Sequence, residues 1–450
     1  MILRSFTLLI LSLCSIQADG LGSSIYRRFS HYNAFRTFED EGIWSVRMKP
    51  VFPSLPLPNR HSLMTGLLPR RHGLIYDYVY NFKTGETFDN FTQRTDLVRE
   101  WWAIEPLYEL ARRSGAKTAV YFFPECEVNW KNRPQACISE VGDLTDEKSL
   151  KTIIESTRKH DLVIVNHVKI REELAKIGMA RAQEKTLKQV HSFEEALERI
   201  IGEVRIRIDL NLIVVSTHSL IDVPRKNIRF LDDYLPMELG NKTIGCGAFK
   251  QIQAKHGKTH QVYSQLKYHS PIPNISVYYT THKAGNLPEW YEYKKSSTIP
   301  DLVLLAQPGY AIASREKQVP AYDKSLIPTA ISGYNAEYPP GMGLFLAYGP
   351  GMFFPNFQFF HVSWYFCISN ETRLIFQRIF LVFKKGIQKA EIEICDVYVL
   401  LCHILQLECN PSTGRLTHLQ DILMPTSYQS SININFFLVV LPLALRILFS

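Results

Sequence analysis

Residues 185–216 of this chain have the sequence KTLKQVHSFEEALERIIGEVRIRIDLNLIVVS. In the first two thirds of this stretch the apolar residues recur at helical spacing, beginning with Leu187, Val190 and Phe193. The segment from Leu210 to Ser216 is instead largely apolar without a break, which is typical of a strand that is buried on both faces. The stretch therefore predicts a helix followed by a buried strand, which is the repeating unit of an α/β fold.

Similar short apolar runs lie on both sides of this unit, and a second helical pattern covers residues 106–114. The runs are Lys117–Phe123, Asp161–Val165, Ile275–Tyr279, Asp301–Leu305 and Gly343–Tyr348. Because their hydrophobicity is continuous rather than alternating, we predict an α/β fold with a mostly parallel central sheet covered by helices on both faces. Active sites of such folds lie at the carboxyl ends of strands, so the loops after residues 123, 165, 216 and 330 are the ones to inspect.

The composition is that of a folded protein. The 450 residues are 46% hydrophobic and 21% charged, which excludes wholesale disorder, collagen and a coiled coil. Lys and Arg number 51 against 43 Asp and Glu, a net charge of +8 that is spread along the chain without a block of like charge. We therefore predict no nucleic acid polymer as a partner.

The first 18 residues have the pattern of a secretory signal peptide. Arg4 supplies a positive charge, residues 6–14 are mostly apolar, and Ser15 to Ala18 offer a small-residue cleavage site. The same apolar run could instead form a buried first strand. Four N-glycosylation sequons suit a secreted chain, and they begin at Asn90, Asn241, Asn274 and Asn370.

The other end of the chain, residues 427–450, is a hydrophobic tail. Its apolar run from Phe436 to Leu445 is shorter than the roughly 20 residues that a helix needs to cross a bilayer. It is similar to a glycolipid-anchor signal, with a short membrane segment and a packed terminal segment as alternatives. We predict residues 19–426 as the folded domain, a location in the secretory pathway with an extracellular or cell-surface destination, and membrane association through the tail.

Residues 351–382 form an aromatic insert within this domain, with ten aromatic residues in 32. Such a segment could dock onto a membrane or a partner around Phe359. An imperfect gene model, which would add a non-native stretch, is an equally serious interpretation.

A series of motifs in order gives the chain its resemblance to a known family. These motifs are Met48–Pro53, Pro58-Asn59, Thr65-Gly66-Leu67, His72-Gly73, Trp101-Trp102, Phe122–Pro124, Val214–Ser216, Phe230–Leu235, Gly333–Asn335 and Phe383–Gly386. With them the chain resembles the ectonucleotide pyrophosphatase/phosphodiesterase family of the alkaline phosphatase superfamily. The resemblance implies an alkaline-phosphatase-like α/β fold. It also implies two zinc ions held by six Asp or His ligands, and a Thr or Ser nucleophile that attacks phosphorus.

The nucleophile of the family is absent at its expected place. The family motif Pro-Thr-Lys-Thr-Phe-Pro-Asn corresponds to residues 53–59, and Pro56 stands where the attacking hydroxyl is expected. Ser54, two residues away, should face another direction. The family's phosphate-binding Asn corresponds to Asp77, whose negative charge would repel a phosphate.

The six metal positions are also degenerate by this resemblance. The first ligand corresponds to Asp19, which would be the frayed first residue if the signal were cleaved after Ala18. The next Asp and His correspond to Arg171 and Ala175, the Asp-His pair to Thr217 and His218, and the last His to Ser332. Only Asp19 and His218 remain as potential ligands. We therefore predict no zinc cofactor, and two zinc ions only if the chain is an active enzyme.

These observations predict a secreted or surface-anchored glycoprotein that has lost phosphodiesterase catalysis and acts by binding an unidentified protein or small-molecule ligand. The alternatives are an active metal-dependent phosphodiesterase or pyrophosphatase of the same family and a membrane-docking module. Two cysteine pairs are close enough in sequence to form disulfides, namely Cys126 with Cys137 and Cys402 with Cys409.

Overall fold

The computed structural model describes residues 11–89, 99–183, 186–207, 209–236, 238–281, 285–294, 296–315, 328–350 and 382–424. The strands are β1 Ser12–Gln17, β2 Ile43–Lys49, β3 Tyr78–Tyr80, β4 Thr87–Asp89, β5 Thr118–Tyr121, β6 Ala136–Ile138, β7 Leu162–Asn166, β8 Leu210–His218, β9 Ile221–Asp222, β10 Ile228–Phe230, β11 Gly240–Ile244, β12 Phe249–Ala254, β13 Ile275–Tyr279, β14 Leu302–Ala306, β15 Ala311–Ala313, β16 Ala330–Ile331, β17 Met342–Tyr348, β18 Ile387–Gln388 and β19 Ile392–Glu393. The α-helices are α1 Ser23–Phe29, α2 Asn33–Glu41, α3 Pro56–Thr65, α4 Pro69–His72, α5 Leu107–Arg113, α6 Glu147–Thr157, α7 Lys169–Ile177, α8 Lys188–Ile206, α9 Thr259–Ser264 and α10 Ile394–Ile404.

The main sheet has the strand order β18-β2-β17-β8-β1-β7-β5-β6, and β19 also pairs with β2. Strands β8, β1, β7, β5 and β6 are parallel to one another, whereas β17 runs antiparallel to both β2 and β8. The helix and strand predicted within residues 185–216 correspond to α8 and β8. The prediction of an α/β fold with a central sheet is confirmed.

Residues 12–17 form β1, which pairs with β7 on one side and β8 on the other. All six residues are buried, and Cys14 and Ile16 are 0% exposed. A cleavage after Ala18 would remove this strand from between its two partners. In the full chain these residues thus form the alternative of a buried first strand, while the signal peptide and the domain boundary between residues 18 and 19 stay predictions.

Two apolar clusters lie against the main sheet, and alternate residues of each strand enter different clusters. Leu13 of β1 and Ile213 of β8 belong to the cluster that includes residues of α3, α5 and α10. Ile16 of β1 and Val214 of β8 belong to the cluster with residues of α1, α2, α6, α7 and α8. This arrangement explains the continuous hydrophobicity of these strands, because both side-chain directions lead into apolar packing.

A second sheet contains strands that the sequence placed in the central sheet. Strands β13 and β14, predicted at residues 275–279 and 301–305, belong to a four-stranded antiparallel sheet with the order β11-β12-β14-β13. Their apolar residues pack in a third cluster. The assignment of these two runs to one mostly parallel sheet was therefore wrong, since a fully apolar run does not specify which sheet a strand joins.

The predictions on disulfides, membrane segments, the tail and the aromatic insert can also be compared with the structure. Cys126 and Cys137 form a disulfide between the turn after β5 and strand β6, as one of the two predicted pairs. Within the described ranges, no helix is long and apolar enough to cross a membrane. The hydrophobic tail at 427–450 and the aromatic insert, apart from residue 382, lie outside the described residues.

Candidate functional site

The residues that align with the family's metal ligands lie at the carboxyl ends of three adjacent strands. Asp19 follows β1 by two residues, Arg171 lies in the first turn of α7 after β7, and His218 is the last residue of β8. Because β7, β1 and β8 are parallel neighbours, their ends meet at one edge of the sheet. This is the edge at which ligands bind in open α/β sheets.

Asp19 is buried and fully engaged by hydrogen bonds. Its Oδ1 accepts from the backbone N–H of Thr217 at 2.9 Å and from the Thr217 hydroxyl at 2.8 Å. Its Oδ2 accepts from Nε2 of Gln17 at 2.8 Å, and the side chain is 5% exposed. In the full chain Asp19 is thus a fixed residue that connects β1 to β8; a frayed end is predicted only for a chain cleaved after Ala18.

His218 continues the same hydrogen-bond chain. Its Nδ1 lies 2.9 Å from the Thr217 hydroxyl, which already donates its proton to Asp19, so we assign the proton of this bond to Nδ1. Burial lowers the pKa of His218, the charge of Asp19 opposes this shift, and Arg171 adds to it. The ring is therefore neutral, and its buried Nε2 has no hydrogen-bond partner among the described residues.

Arg171 places a positive charge where the family has an acidic ligand. Its backbone packs against the turn after β1, because a Cβ atom added to Gly20 would lie 3.0 Å from the Cα of Arg171. Gly20 has φ +100°, a conformation that glycine adopts without strain. Ala175 lies one turn further along α7 and offers no ligand atom. In the described part of the chain, no carboxylate forms an ion pair with Arg171, and its Nε is buried without a partner.

The position of the family's nucleophile is the first residue of α3. Leu55 precedes this helix in an extended conformation, and Pro56 fills the first helical position, where its missing N–H costs no hydrogen bond. Ser54 is buried and its hydroxyl donates to the carbonyl of Tyr334 at 3.0 Å. No hydroxyl group therefore stands in the expected place, and the nearest serine is used structurally.

The loop before α3 is held by Asn59, a residue whose role the sequence did not reveal. Its Oδ1 accepts from the N–H of Val51 at 2.8 Å, and its Nδ2 donates to the carbonyls of Pro53 and Leu55 at 3.0 and 2.8 Å. Asn59 is 0% exposed. The available signal was its place in the Pro58-Asn59 motif. Asn59 thus fixes the shape of the loop that leads into α3.

A second cation near this edge was also missed from sequence. Arg60 Nε donates to Glu125 Oε1 at 2.5 Å, and the Arg60 guanidinium lies over the ring of Phe123 at 5.8 Å. Burial lowers the pKa of Arg60, but the charges of Glu125, Asp77 and Asp19 outweigh this effect and raise it. A buried, permanently charged guanidinium therefore lies within electrostatic range of both aspartates.

The remaining aligned positions, Asp77 and Ser332, are both half-buried. Asp77 precedes β3 and acts electrostatically on Arg60. Ser332 directly follows β16, which pairs with β9 just beyond the end of β8. The structure thus places Ser332 on an element adjacent to His218, in agreement with its aligned position, but its hydroxyl is a poor substitute for an imidazole as a zinc ligand.

These donors do not fit two zinc ions. A catalytic zinc site needs three protein ligands in addition to water, and the aligned positions supply one carboxylate and one imidazole in total. Both oxygens of that carboxylate already accept hydrogen bonds. The guanidinium of Arg171 would in addition repel a divalent cation. Of the aligned ligand positions, only His218 keeps a free lone pair on a buried ring nitrogen.

A cluster far from this edge has the residue types of a metal site. The ligand atoms of Glu393, Asp396 and His418 all lie within 4.8 Å of one another. However, Asp396 already accepts from the N–H of Arg415 at 2.7 Å and contacts Nδ1 of His418 at 2.9 Å, and Glu393 lies 3.7 Å from the Lys49 ammonium. The positive end of α10 also disfavours a cation there. The cluster is explained by its own ion pairs.

The four glycosylation sequons lie in different parts of the chain. Asn274 is half-buried in a turn after α9, with φ +63°, and its Nδ2 donates to Gln307 at 3.0 Å. Asn241 lies within strand β11. Asn90 and Asn370 lie outside the described residues. Glycan attachment at these positions stays a prediction.

Comparison with known proteins agrees with this geometry. The model of the family "Type I phosphodiesterase / nucleotide pyrophosphatase" matches residues 13–334. Human ectonucleotide pyrophosphatase/phosphodiesterase family member 1 is 21% identical over 407 residues, which cover 86% of this chain but only 39% of that protein. Human family member 5 is 22% identical over 388 residues, which cover 85% of this chain and 72% of that protein.

Solved structures show the same fold. An inactive form of murine family member 5 in complex with AMP superposes with a TM-score of 0.74 at 20% identity, covering 92% of this chain and 100% of that one. Human family member 5 gives a TM-score of 0.73 with the same identity and coverage. The family match begins at residue 13, within β1, so this strand lies inside the matched region.

Proposed function

Since this chain belongs to the type I phosphodiesterase/nucleotide pyrophosphatase family, we propose that it is a member that keeps the fold and has lost hydrolysis, and that it acts by binding. This proposal rests on one observation: the first residue of α3, at the position aligned with the family's nucleophile, is Pro56. Proline has no hydroxyl, and the Ser54 hydroxyl is bonded to a backbone carbonyl on the other side of the loop. Covalent catalysis of the family type has no attacking group here.

Electrostatics supports the same proposal. In a two-metal enzyme, the cations stabilise the charge that develops on the attacking and leaving oxygens. Here, Arg171 supplies positive charge near the same edge, whereas the charge of the buried Arg60 is already paired with Glu125. A guanidinium can attract a phosphate but cannot activate a nucleophile as a metal does. This change in chemistry favours binding of an anion over its cleavage.

The ligand of this site is proposed by its chemistry alone. Arg171 is half-buried and has no carboxylate partner among the residues described, so its charge remains available to an anionic group. The murine structure with a similar fold contains AMP, which makes a nucleoside monophosphate the natural first probe. A protein ligand that presents an acidic or phosphorylated group would use the same charge.

The deciding experiment measures bound metal and turnover on the same purified protein. We expect less than stoichiometric zinc by elemental analysis and no hydrolysis of a nitrophenyl phosphodiester above a buffer blank. A zinc-dependent phosphodiesterase that hydrolyses the same substrate, purified in parallel, serves as the positive control for both measurements. Two equivalents of zinc together with turnover would establish the active-enzyme alternative and refute this proposal.

Binding is tested separately by calorimetric titration of AMP into the native chain and into Arg171→Ala. We expect weaker binding in the variant, with Lys176→Ala on the same helix as a control that leaves the affinity unchanged. Equal affinities of the native chain and Arg171→Ala for AMP would show that Arg171 does not bind this ligand.

Secretion or surface anchoring is part of the proposal. The Cys126–Cys137 disulfide supports an oxidising compartment, because such bonds are rare in reducing cytosol. We expect the chain on the cell surface or in the medium, with a mass decrease on glycosidase treatment. Release by a phospholipase that cuts glycolipid anchors would assign the tail as an anchor. Binding to protein-free vesicles that depends on residues 351–382 would favour the membrane-docking alternative.

A further inference from the structure

We propose that Cys402 and Cys409 form a second disulfide, which fastens the loop of residues 405–415 to helix α10. Both residues are present as thiols in the structure. Cys402 is 0% exposed in the apolar cluster beneath α3 and α10, and Cys409 is partly buried against the same cluster. Each thiol shifts the pKa of the other through a side-chain interaction, as expected of two neighbouring sulfur atoms.

The end of α10 explains why these two thiols meet. The N–H of Leu407 donates to the carbonyl of Cys402 at 2.9 Å, and the N–H of Gln406 donates to that of His403 at 3.1 Å. Gln406 has φ +54°. These are the two bonds and the left-handed residue of a Schellman motif, which reverses the chain at a helix end. The reversal brings Cys409 back beside the last turns of the helix.

The loop that follows is docked rather than free. Asn410 donates to Glu105 at 2.8 Å, the N–H of Thr413 donates to the carbonyl of Gly66 at 2.8 Å, and the N–H of Arg415 donates to Asp396 at 2.7 Å. Gly66 ends α3, the helix that begins at Pro56. The proposed bond would therefore fix the support of α3 at the end opposite to the vacated nucleophile position.

The two thiols have complementary roles in oxidation. The neighbouring Cys402 side chain lowers the pKa of Cys409, although burial opposes this shift, whereas the Cys409 side chain and burial both raise the pKa of Cys402. The Cys409 thiolate is thus the attacking sulfur on the disulfide of a secretory-pathway thiol oxidoreductase. Cys402 then displaces that enzyme's sulfur from the mixed disulfide. The two thiols lose two protons and two electrons, and the oxidoreductase disulfide becomes a dithiol.

A single peptide can test this bond. Residues 390–415 lie between Lys389 and Arg415 without an internal lysine or arginine, so trypsin releases Cys395, Cys402 and Cys409 together. The secreted full-length chain is denatured without reductant, alkylated with iodoacetamide, digested and analysed by mass spectrometry. We expect one label, on Cys395, before reduction and three labels after it. Backbone fragments between residues 402 and 409 should be missing before reduction.

Two variants distinguish the pairing within this peptide. Cys409→Ser should leave both remaining thiols labelled before reduction. Cys395→Ser should leave none labelled before reduction and two after it, which keeps the test valid if Cys409→Ser is not secreted. Three labels on the native peptide before reduction, or a link from Cys402 to any other cysteine, would overturn the proposal. The result is independent of whether the chain hydrolyses phosphodiesters.

Discussion

Substitutions of Asp19 distinguish a structural role of its carboxylate from a role as a metal ligand. In the fold this carboxylate accepts three hydrogen bonds, two from Thr217 and one from Gln17. Asp19→Ala would leave three buried donors without acceptors at the junction of β1 and β8. Asp19→Asn keeps one carbonyl oxygen of the same shape, and it removes the negative charge that a zinc ion would require.

The expected magnitudes differ between the two variants. Each buried donor left without a partner costs about 1–3 kcal/mol, so the loss of acceptor for three donors in Asp19→Ala should lower the free energy of unfolding by about 3–9 kcal/mol. In Asp19→Asn, the amide oxygen can still accept from Thr217. The new NH₂ group can donate to Oε1 of Gln17, which is buried without a partner in the described structure, once that amide rotates. We expect this variant to lose about 1 kcal/mol.

Urea unfolding of both variants and the native chain, with and without a zinc chelator, measures these differences. We expect the chelator to have no effect on any of the three proteins. If the native chain is destabilised by the chelator, and Asp19→Asn is as unstable as Asp19→Ala, then Asp19 holds a metal and the structural interpretation fails.

Three further predictions concern catalysis, pH and the first strand. Restoring a hydroxyl with Pro56→Thr should produce no turnover of a nitrophenyl phosphodiester, because the aligned metal ligands remain absent; measurable turnover that depends on added zinc would contradict this. Burial lowers the pKa of His72 to about 3 and that of His61 well below its usual value, so both rings stay neutral in the fold while the unfolded chain binds protons below about pH 6.5. The free energy of unfolding should therefore be flat above pH 7 and fall below pH 6.5 by about 1.4 kcal/mol per pH unit for each ring. Urea unfolding of His72→Gln should show a pH slope that is smaller by about 1.4 kcal/mol per pH unit. An unchanged slope would show that His72 does not contribute to the pH dependence. Ile16→Ala should lower the free energy of unfolding by about 2–5 kcal/mol by urea unfolding, since Ile16 is 0% exposed in β1, and a change below 1 kcal/mol would argue against a central β1.

The strands and helices of the main sheet could be predicted from local pattern. Helix α8 and strand β8 follow the periodicity of residues 185–216 closely, and β7 and β5 lie within one or two residues of the predicted runs or inside them. Strands β13 and β14 were located well but assigned to the wrong sheet. Strand β14 pairs with β13 and with β12, and such pairings between separate segments are not encoded by a local pattern.

The first strand shows the limit of this reasoning most clearly. An apolar run after a positive charge has the same composition in a signal peptide and in a buried strand, because both must leave water for an apolar environment. The pairing of this run with β7 and β8 in the structure depends on residues about 150 and 200 positions away, which no local pattern encodes. Whether Asp19 is held in the fold or is a chain end depends on this strand, because Asp19 follows β1 by only two residues.

The sequence by itself determined which residue types stand at the positions aligned with the family's catalytic groups, because the absence of a hydroxyl at Pro56 and of metal-ligand atoms at Arg171 and Ala175 is a property of residue type. Only the tertiary structure decided what the remaining groups do. It showed that Asp19 binds Thr217, that this threonine bonds His218, and that a buried Arg60 lies within range. The physical reason is that hydrogen bonds and charges act over a few ångströms, between residues that the chain separates by up to 199 positions and the sheet brings to one edge.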